Sequence, residues 1–204
     1  VTAIAWILVT LGVAAAAARR RTQAVALVAI QAAVLGGAAL VHGWGDSTAL
    51  AVAGAVLVVR AVLLPVVLGA AISRTREPVP AVGEGTALGR TAVALAVAGG
   101  AAALAPALGV EPPAAGSAAV ALVFLGAATA VLRGGAVHQA LGFVVAESGV
   151  YLAALGAHGG VPPVVELGIA VDLTLVVAVA AVFGARLHAH HGSADTRLLR
   201  GLRD

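Results

Sequence analysis

The fold is decided by two apolar segments, LGFVVAESGVYLAALGA (141–157) and VVELGIAVDLTLVVAVAAVFGA (164–185). A helix needs about 20 apolar residues to cross a bilayer, and each segment is close to that length. Three carboxylates, Glu147, Glu166 and Asp172, lie inside these segments. Because an ionisable side chain costs about 3 kcal/mol at the bilayer centre, an acid there is expected to be protonated, paired or placed on a water or ion path. We therefore expect the three acids to form the functional centre of the chain.

The composition is that of a membrane protein. Hydrophobic residues make up 61% of the 204 residues and charged residues only 10%, whereas soluble domains carry about 25% charged residues. Aromatic residues are 3% of the chain, so its apolar content is mainly Ala, Val, Leu and Gly. Small side chains let helices approach closely in lipid, and steps such as Gly142 to Ala146 predict contacts of this kind.

Two missing residue types exclude several kinds of site in this chain. Cysteine is absent, which excludes disulfides, thiolate metal sites and iron–sulfur ligation. Lysine is also absent, which excludes a retinal Schiff base. The formal charge is +3, but the arginines separate apolar runs instead of forming one patch, so no nucleic-acid partner is predicted. We predict no metal, cofactor or catalytic centre in this chain.

Alternating apolar runs and short polar connections predict an all-α membrane protein with about seven transmembrane helices, forming one polytopic domain over 1–204. The predicted spans are 2–18, 25–41, 49–72, 88–108, 117–132, 137–157 and 164–185, followed by a basic tail over 186–204. With the N-terminus outside, every arginine except Arg60 falls in an inner connection or in the tail. The positive-inside rule then predicts a cytoplasmic C-terminus, in the cell membrane of a bacterium or archaeon.

Several polar residues are predicted at the middle of the membrane. At 1.5 Å per residue, Arg60 lies roughly 18 Å and Asp172 roughly 13 Å from the outer ends of their spans, and Glu147 lies about halfway along its span. Glu166 is shallower. Arginine keeps its charge in any protein environment, so Arg60 is expected to be a permanent counter-ion. Pro65 is expected to kink the third span by removing a backbone donor.

Three interpretations of these charges remain open. In one, Arg60 pairs with Glu147 or Asp172 and the salt bridge only fixes helix packing. In another, the acids take part in proton or ion movement; three acids against one base leave two carboxylates unmatched, which favours this interpretation. His138, at the inner mouth of the sixth span, is then a candidate to deliver protons toward Glu147. The remaining interpretation is a binding site for a polar solute in a small stand-alone transporter.

Four stretches resemble one known family. ESGVYLAAL (147–155), VELGIAVDLTLVVAV (165–179) and the tail HHGSADTRLLRGLRD (190–204), together with VVRAVLLPVVL (58–68), resemble the component E subunit of hydrogenase-4. That subunit belongs to the membrane part of group 4 [NiFe]-hydrogenase complexes and is similar to the K subunit of complex I. The likeness is specific in the C-terminal 70 residues, roughly, and rests on hydropathy alone in the first two spans.

The resemblance implies a role for each charged residue. Glu147 matches the acidic position of the family's ENG-like motif, and Glu166 and Asp172 match its ELG…D helix. Arg60 matches the basic residue before the proline, where the family commonly has lysine; a counter-ion role follows better than a relay role, since arginine does not readily lose its proton. As a whole, the resemblance implies a membrane-arm subunit beside antiporter-like subunits, with the NiFe centre and iron–sulfur clusters in partner chains.

Overall fold

A computed structural model describes residues 2–44, 48–75, 86–109, 113–133 and 136–156, and the regular structure within these ranges is helical. The helices are α1 (Thr2–Ala17), α2 (Arg21–Gly43), α3 (Thr48–Thr75), α4 (Ala87–Leu104), α5 (Pro113–Leu132) and α6 (Ala136–Gly156), and a 3₁₀ turn, Ala105–Leu108, continues α4. The predicted seventh span, with Glu166 and Asp172, and the basic tail lie outside the described residues.

Several of the described helices have the length and surface of membrane spans. Four apolar segments are long enough to cross a bilayer, namely Arg21–Gly43, Leu50–Ala70, Ala87–Leu108 and Ala114–Leu132. α1 is a shorter apolar helix. Large apolar side chains such as Val59, Val62 and Val66 point outward along α3, an arrangement that is unfavourable in water and expected against lipid. The chain is an all-α, multi-pass membrane protein.

α2 and α3 extend beyond the apolar runs from which they were predicted. The second predicted span, 25–41, lies inside α2, which begins at Arg21; the third, 49–72, lies inside α3. Hydropathy marks only the segment that sits in lipid, whereas helical hydrogen bonding continues into polar flanks. α4 passes into its 3₁₀ turn at Ala105. The turn is followed by Gly109, which adopts a left-handed conformation (φ 65°) suited to glycine.

Two helix pairs pack with their backbones nearly in contact. A methyl group placed on Gly36 of α2 would lie 2.9 Å from the carbonyl oxygen of Gly54 on α3. One placed on Gly142 of α6 would lie 2.6 Å from the carbonyl oxygen of Gly126 on α5. Only glycine leaves room for this approach, which is how transmembrane helices gain van der Waals contact without a hydrophobic driving force between them.

The two tight pairs are joined by α1. This helix packs against α2, α4 and α5, while α2 packs against both α3 and α6. α3 and α6 make at most a slight direct contact, since α2 is the neighbour they share. Fully buried leucines fill the space between the helices, including Leu8, Leu35 and Leu122. The interior therefore lies around α2, and several polar side chains, including Gln31 and Arg60, are buried in it.

Candidate functional site: a buried ion pair between α3 and α6

Arg60 on α3 and Glu147 on α6 form an ion pair inside the bundle. The Nη1 group of Arg60 donates a hydrogen bond to Oε2 of Glu147. Arg60 is 6% exposed and Glu147 is 7% exposed. α3 and α6 are not close neighbours, so the pair depends on the reach of the arginine side chain past α2. The structure thus selects Glu147 as a partner of Arg60, 87 residues away in the sequence.

The pair lies at mid-depth of its helices. Arg60 is 12 residues after the first residue of α3, and Glu147 is 11 residues after the first residue of α6. These separations correspond to roughly 18 Å and 16 Å of helix rise, so both side chains are far from either end of a hydrocarbon core about 30 Å thick. Removing two charges from water carries a large desolvation penalty that their mutual attraction only partly offsets. The pair therefore carries a net cost in folding free energy, in a chain with few charged residues.

Each partner keeps one polar atom that has no partner among the described residues. These atoms are Nη2 of Arg60 and Oε1 of Glu147, and both are buried. A buried polar atom without a hydrogen bond costs about 1–3 kcal/mol, more when it carries charge. The ion pair therefore presents one further donor and one further acceptor to a water molecule or another polar group.

Pro65, one turn beyond Arg60, lies inside α3, and the helix continues through it. Proline has no backbone N–H, so the carbonyl oxygen of Ala61 loses the donor that a regular helix would supply. This leaves a second polar atom of α3 beside the arginine. The predicted kink at Pro65 stays a prediction.

His138 lies near the first residue of α6 and is buried, whereas the sequence predicted a position at the membrane boundary. It is 4% exposed, and its Nε2 atom lies 2.8 Å from Nη2 of Arg133. A guanidinium group only donates, so Nε2 is the acceptor and the ring proton sits on Nδ1. The position is nine residues from Glu147, or about 14 Å of helix rise. His138 and Glu147 are therefore not in contact, and a proton path between them needs intermediate groups.

The same arginine ties α1 to the rest of the bundle. Arg133 donates from Nη1 to the carbonyl oxygen of Ala16 (2.8 Å) and from Nη2 to that of Ala18 (3.1 Å). Arg90 of α4 donates to the carbonyl oxygen of Ala17 (3.4 Å). The last carbonyls of a helix have no donors within the helix, and cations at this end also interact favourably with the helix dipole. Arg90 and Arg133, predicted only as topology signals, thus cap α1.

Gln31 of α2 is a buried polar residue that sequence reasoning missed. It is fully buried (0% exposed), and its Nε2 group donates to the carbonyl oxygen of Leu8 on α1 (3.1 Å). Its Oε1 atom has no partner among the described residues. The signal was present in the sequence, because Gln31 is a lone amide near the middle of an apolar run. Because the Gln31 side chain is uncharged, it was not singled out from the sequence as the acids were.

The described residues contain no group of three or more His, Cys, Asp or Glu side chains able to hold a metal ion. Glu166 and Asp172 lie outside that part of the chain, so their relation to the Arg60–Glu147 pair stays a prediction. The predicted absence of metals and cofactors is likewise untested.

Fold and site together define a small polytopic helical membrane protein with a charged pair buried at mid-depth. The chain is 35% identical, over 193 aligned residues, to the uncharacterized protein Rv0085 of Mycobacterium tuberculosis; the alignment covers 88% of this chain and 85% of that relative. The chain belongs to the same family as Rv0085. No protein-family model matches the chain, and no solved structure matches it.

Proposed function

We propose that this chain is a membrane-arm subunit of a complex I-like respiratory or hydrogenase complex, where its buried carboxylates contribute to proton translocation and its helices bridge antiporter-like subunits. The observation that carries the proposal is the Arg60–Glu147 ion pair at mid-depth of the bundle. It joins two stretches that resemble the component E subunit of hydrogenase-4, VVRAVLLPVVL (58–68) and ESGVYLAAL (147–155).

The chemistry of the pair suits a proton path. Arg60 supplies a fixed positive charge that favours an ionised carboxylate, while burial disfavours it. Oε1 of Glu147 has no partner among the described residues, so a proton can reach the carboxylate without breaking its bond to Arg60. In this proposal Glu147 and Asp172 exchange protons, Glu166 links the outer half or a neighbouring subunit, and His138 lies toward the inner entrance.

The proposed setting has seven spans with the N-terminus outside and the C-terminus in the cytoplasm of a bacterial or archaeal cell. In this proposal α1 to α6 all cross the membrane, and residues 164–185 form the seventh span. The partners are antiporter-like membrane subunits and the redox subunits of the complex, which would carry the NiFe centre and the iron–sulfur clusters. Proton movement rather than electron transfer is then the contribution of this chain.

The first test is to recover an affinity-tagged chain from gently solubilised native membranes and identify bound proteins by mass spectrometry. Antiporter-like subunits together with a [NiFe] large subunit are the expected result. Antiporter-like subunits alone would support the membrane-arm role in another complex. Recovery of the chain by itself as a homo-oligomer, with solute uptake in vesicles, would contradict the proposal in favour of the transporter.

The second test substitutes Glu147→Gln in the assembled complex and measures protons moved per electron in sealed vesicles. The relay predicts loss of proton coupling per assembled complex, whatever the yield of complex. Ser148→Ala is the matched control, because its hydroxyl donates to the Val144 carbonyl oxygen of its own helix (2.9 Å). Unchanged coupling in Glu147→Gln would contradict the relay.

A structural scaffold is the second candidate, and the direct pairing of Arg60 with Glu147 favours it, because a paired charge is also a way to fix helix positions. It predicts that Glu147→Gln lowers the yield of assembled complex while turnover and proton coupling per complex stay unchanged. The vesicle measurement on purified complex therefore separates the two candidates.

A further inference from the structure

The buried amide of Gln31 lies at the depth of the ion pair according to the contacts between α2 and α3. Gly36 of α2 meets α3 between Gly54 and Val58, and the two helices are antiparallel. Gln31 is five residues earlier on α2, so the matching segment of α3 lies about five residues later, or ~7.5 Å along the helix. That segment is 59–63, and it contains Arg60.

A second set of contacts places Gln31 beside Glu147. Gly12 of α1 meets α6 at Val145, and α1 runs antiparallel to α6. Leu8 is four residues before Gly12, which corresponds to a position about four residues, or ~6 Å, beyond Val145 on α6. Glu147 lies within this interval. Because Gln31 donates to the Leu8 carbonyl oxygen, its amide is at the level of Glu147.

Three buried polar atoms at this level have complementary hydrogen-bonding roles. Oε1 of Gln31 and Oε1 of Glu147 are acceptors, Nη2 of Arg60 is a donor, and none has a partner among the described residues. A water molecule donates two hydrogen bonds and accepts from a third group. Buried waters typically make about three hydrogen bonds to polar groups that would otherwise lack them.

We propose that Gln31, Arg60 and Glu147 form one site that holds internal water at the middle of the bundle. Gln31 is its positioning residue: the bond to Leu8 directs the amide, and Oε1 accepts from the water. The site connects the ion pair on α3 and α6 to α1 and α2. It requires only these side chains, so it stands whether the ion pair conducts protons or only fixes packing.

The test is X-ray hydroxyl-radical footprinting of the full chain in lipid nanodiscs, in which bound water generates radicals beside it. Tyr151 is the reporter, because it is buried on the same face of α6 one turn from Glu147. Leu68 is the control, since it is fully buried on α3, about 12 Å along the helix from Arg60. Labelling of Tyr151 but not Leu68 is expected in the wild-type chain. Tyr151 labelled no more than Leu68 would overturn the proposal.

Gln31→Leu should reduce labelling of Tyr151 to the level of Leu68, and unchanged labelling would overturn the role of Gln31. A double-mutant cycle on the unfolding equilibrium tests the connection independently. Shared water predicts that Gln31→Leu and Glu147→Gln couple by about 3-fold to 18-fold, the range of side-chain hydrogen bonds in membranes. Thr129→Val, whose hydroxyl donates to the Leu125 carbonyl oxygen of its own helix (2.7 Å), should not couple. Additive effects of the first pair would contradict the shared site; if Gln31→Leu does not fold, the wild-type footprint decides.

Discussion

Replacing Glu147 with leucine should destabilise the protein strongly, because it leaves the Arg60 charge buried without its partner. Arg60 is 6% exposed and cannot lose its proton to escape the penalty. Removal of one member of a buried ion pair typically costs about 3–5 kcal/mol, a large part of a total stability of about 5–15 kcal/mol. We expect the upper half of the former range for Glu147→Leu, since arginine has no neutral form available.

Arg60→Met should cost less than Glu147→Leu, although it breaks the same bond. The remaining carboxylate can take up a proton and become neutral, whereas a guanidinium cannot. The double variant, with two apolar side chains of similar size, should recover most of the loss, because replacing both members of a buried pair is often neutral or stabilising by about 1–4 kcal/mol.

The measurement is reversible unfolding of the purified full chain in bicelles, followed by helical circular dichroism, for both single variants and the double variant. Thr129→Val is a suitable control, since this buried hydroxyl donates to the Leu125 carbonyl oxygen of its own helix. A cost below about 1 kcal/mol for Glu147→Leu, or single effects that simply add in the double variant, would refute the reasoning that the pair is desolvated and mutually dependent.

Three further predictions follow from the packing and the topology. Gly142→Ala should destabilise the chain by about 1–3 kcal/mol in thermal unfolding, as overpacking does, because the new methyl group would lie 2.6 Å from the backbone of α5. Gly69→Ala is the control: Gly69 has open space around it, so this substitution should instead stabilise its helix by up to about 1 kcal/mol. Arg133→Gln should lower the free energy of unfolding by about 1–3 kcal/mol, because the charged hydrogen bonds to the end of α1 are lost. Arg133→Lys keeps the charge and should lose less stability than Arg133→Gln. Equal losses in the two variants would contradict capping by charge. The 204-residue sequence contains no cysteine, so the single substitutions Trp44→Cys and Ser73→Cys each introduce one thiol for maleimide labelling of intact cells with an impermeant reagent. The proposed topology predicts that only Trp44→Cys is labelled, and labelling of both variants would contradict it.

The helical, membrane-spanning character of the chain was predictable from local sequence alone. A run of small apolar residues must satisfy its backbone hydrogen bonds internally in lipid, and a helix is the way a single segment does so. The mid-depth positions of Arg60 and Glu147 were predictable for the same reason, since helix rise converts residue number into depth. The exact helix ends were not, because hydropathy does not record where hydrogen bonding stops.

The partners of the polar residues were less predictable. Sequence reasoning left Arg60 with two candidate acids, and it treated Arg133 as a topology signal and His138 as a boundary residue. The partner of each of these side chains depends on which helices pack side by side. Small residues occur along every helix, so the sequence is compatible with many packing arrangements. Gln31 was not predicted as a site residue, because what distinguishes this uncharged amide is its burial and its hydrogen bond to α1, which only the fold reveals.

The sequence by itself determined that this protein is helical, that it lies in a membrane, and that charged side chains sit at mid-depth, because these properties follow from hydropathy and from the fixed rise of a helix. Only the tertiary structure decided that Arg60 reaches past α2 to Glu147, that Gln31 bonds to α1, and that Arg133 caps the end of α1. Those contacts depend on the rotation and neighbours of each helix, which are set by close backbone approach at Gly36, Gly54, Gly126 and Gly142. The depth of a residue follows from its position in its own helix, whereas the direction and the partners of its side chain depend on how all the helices pack.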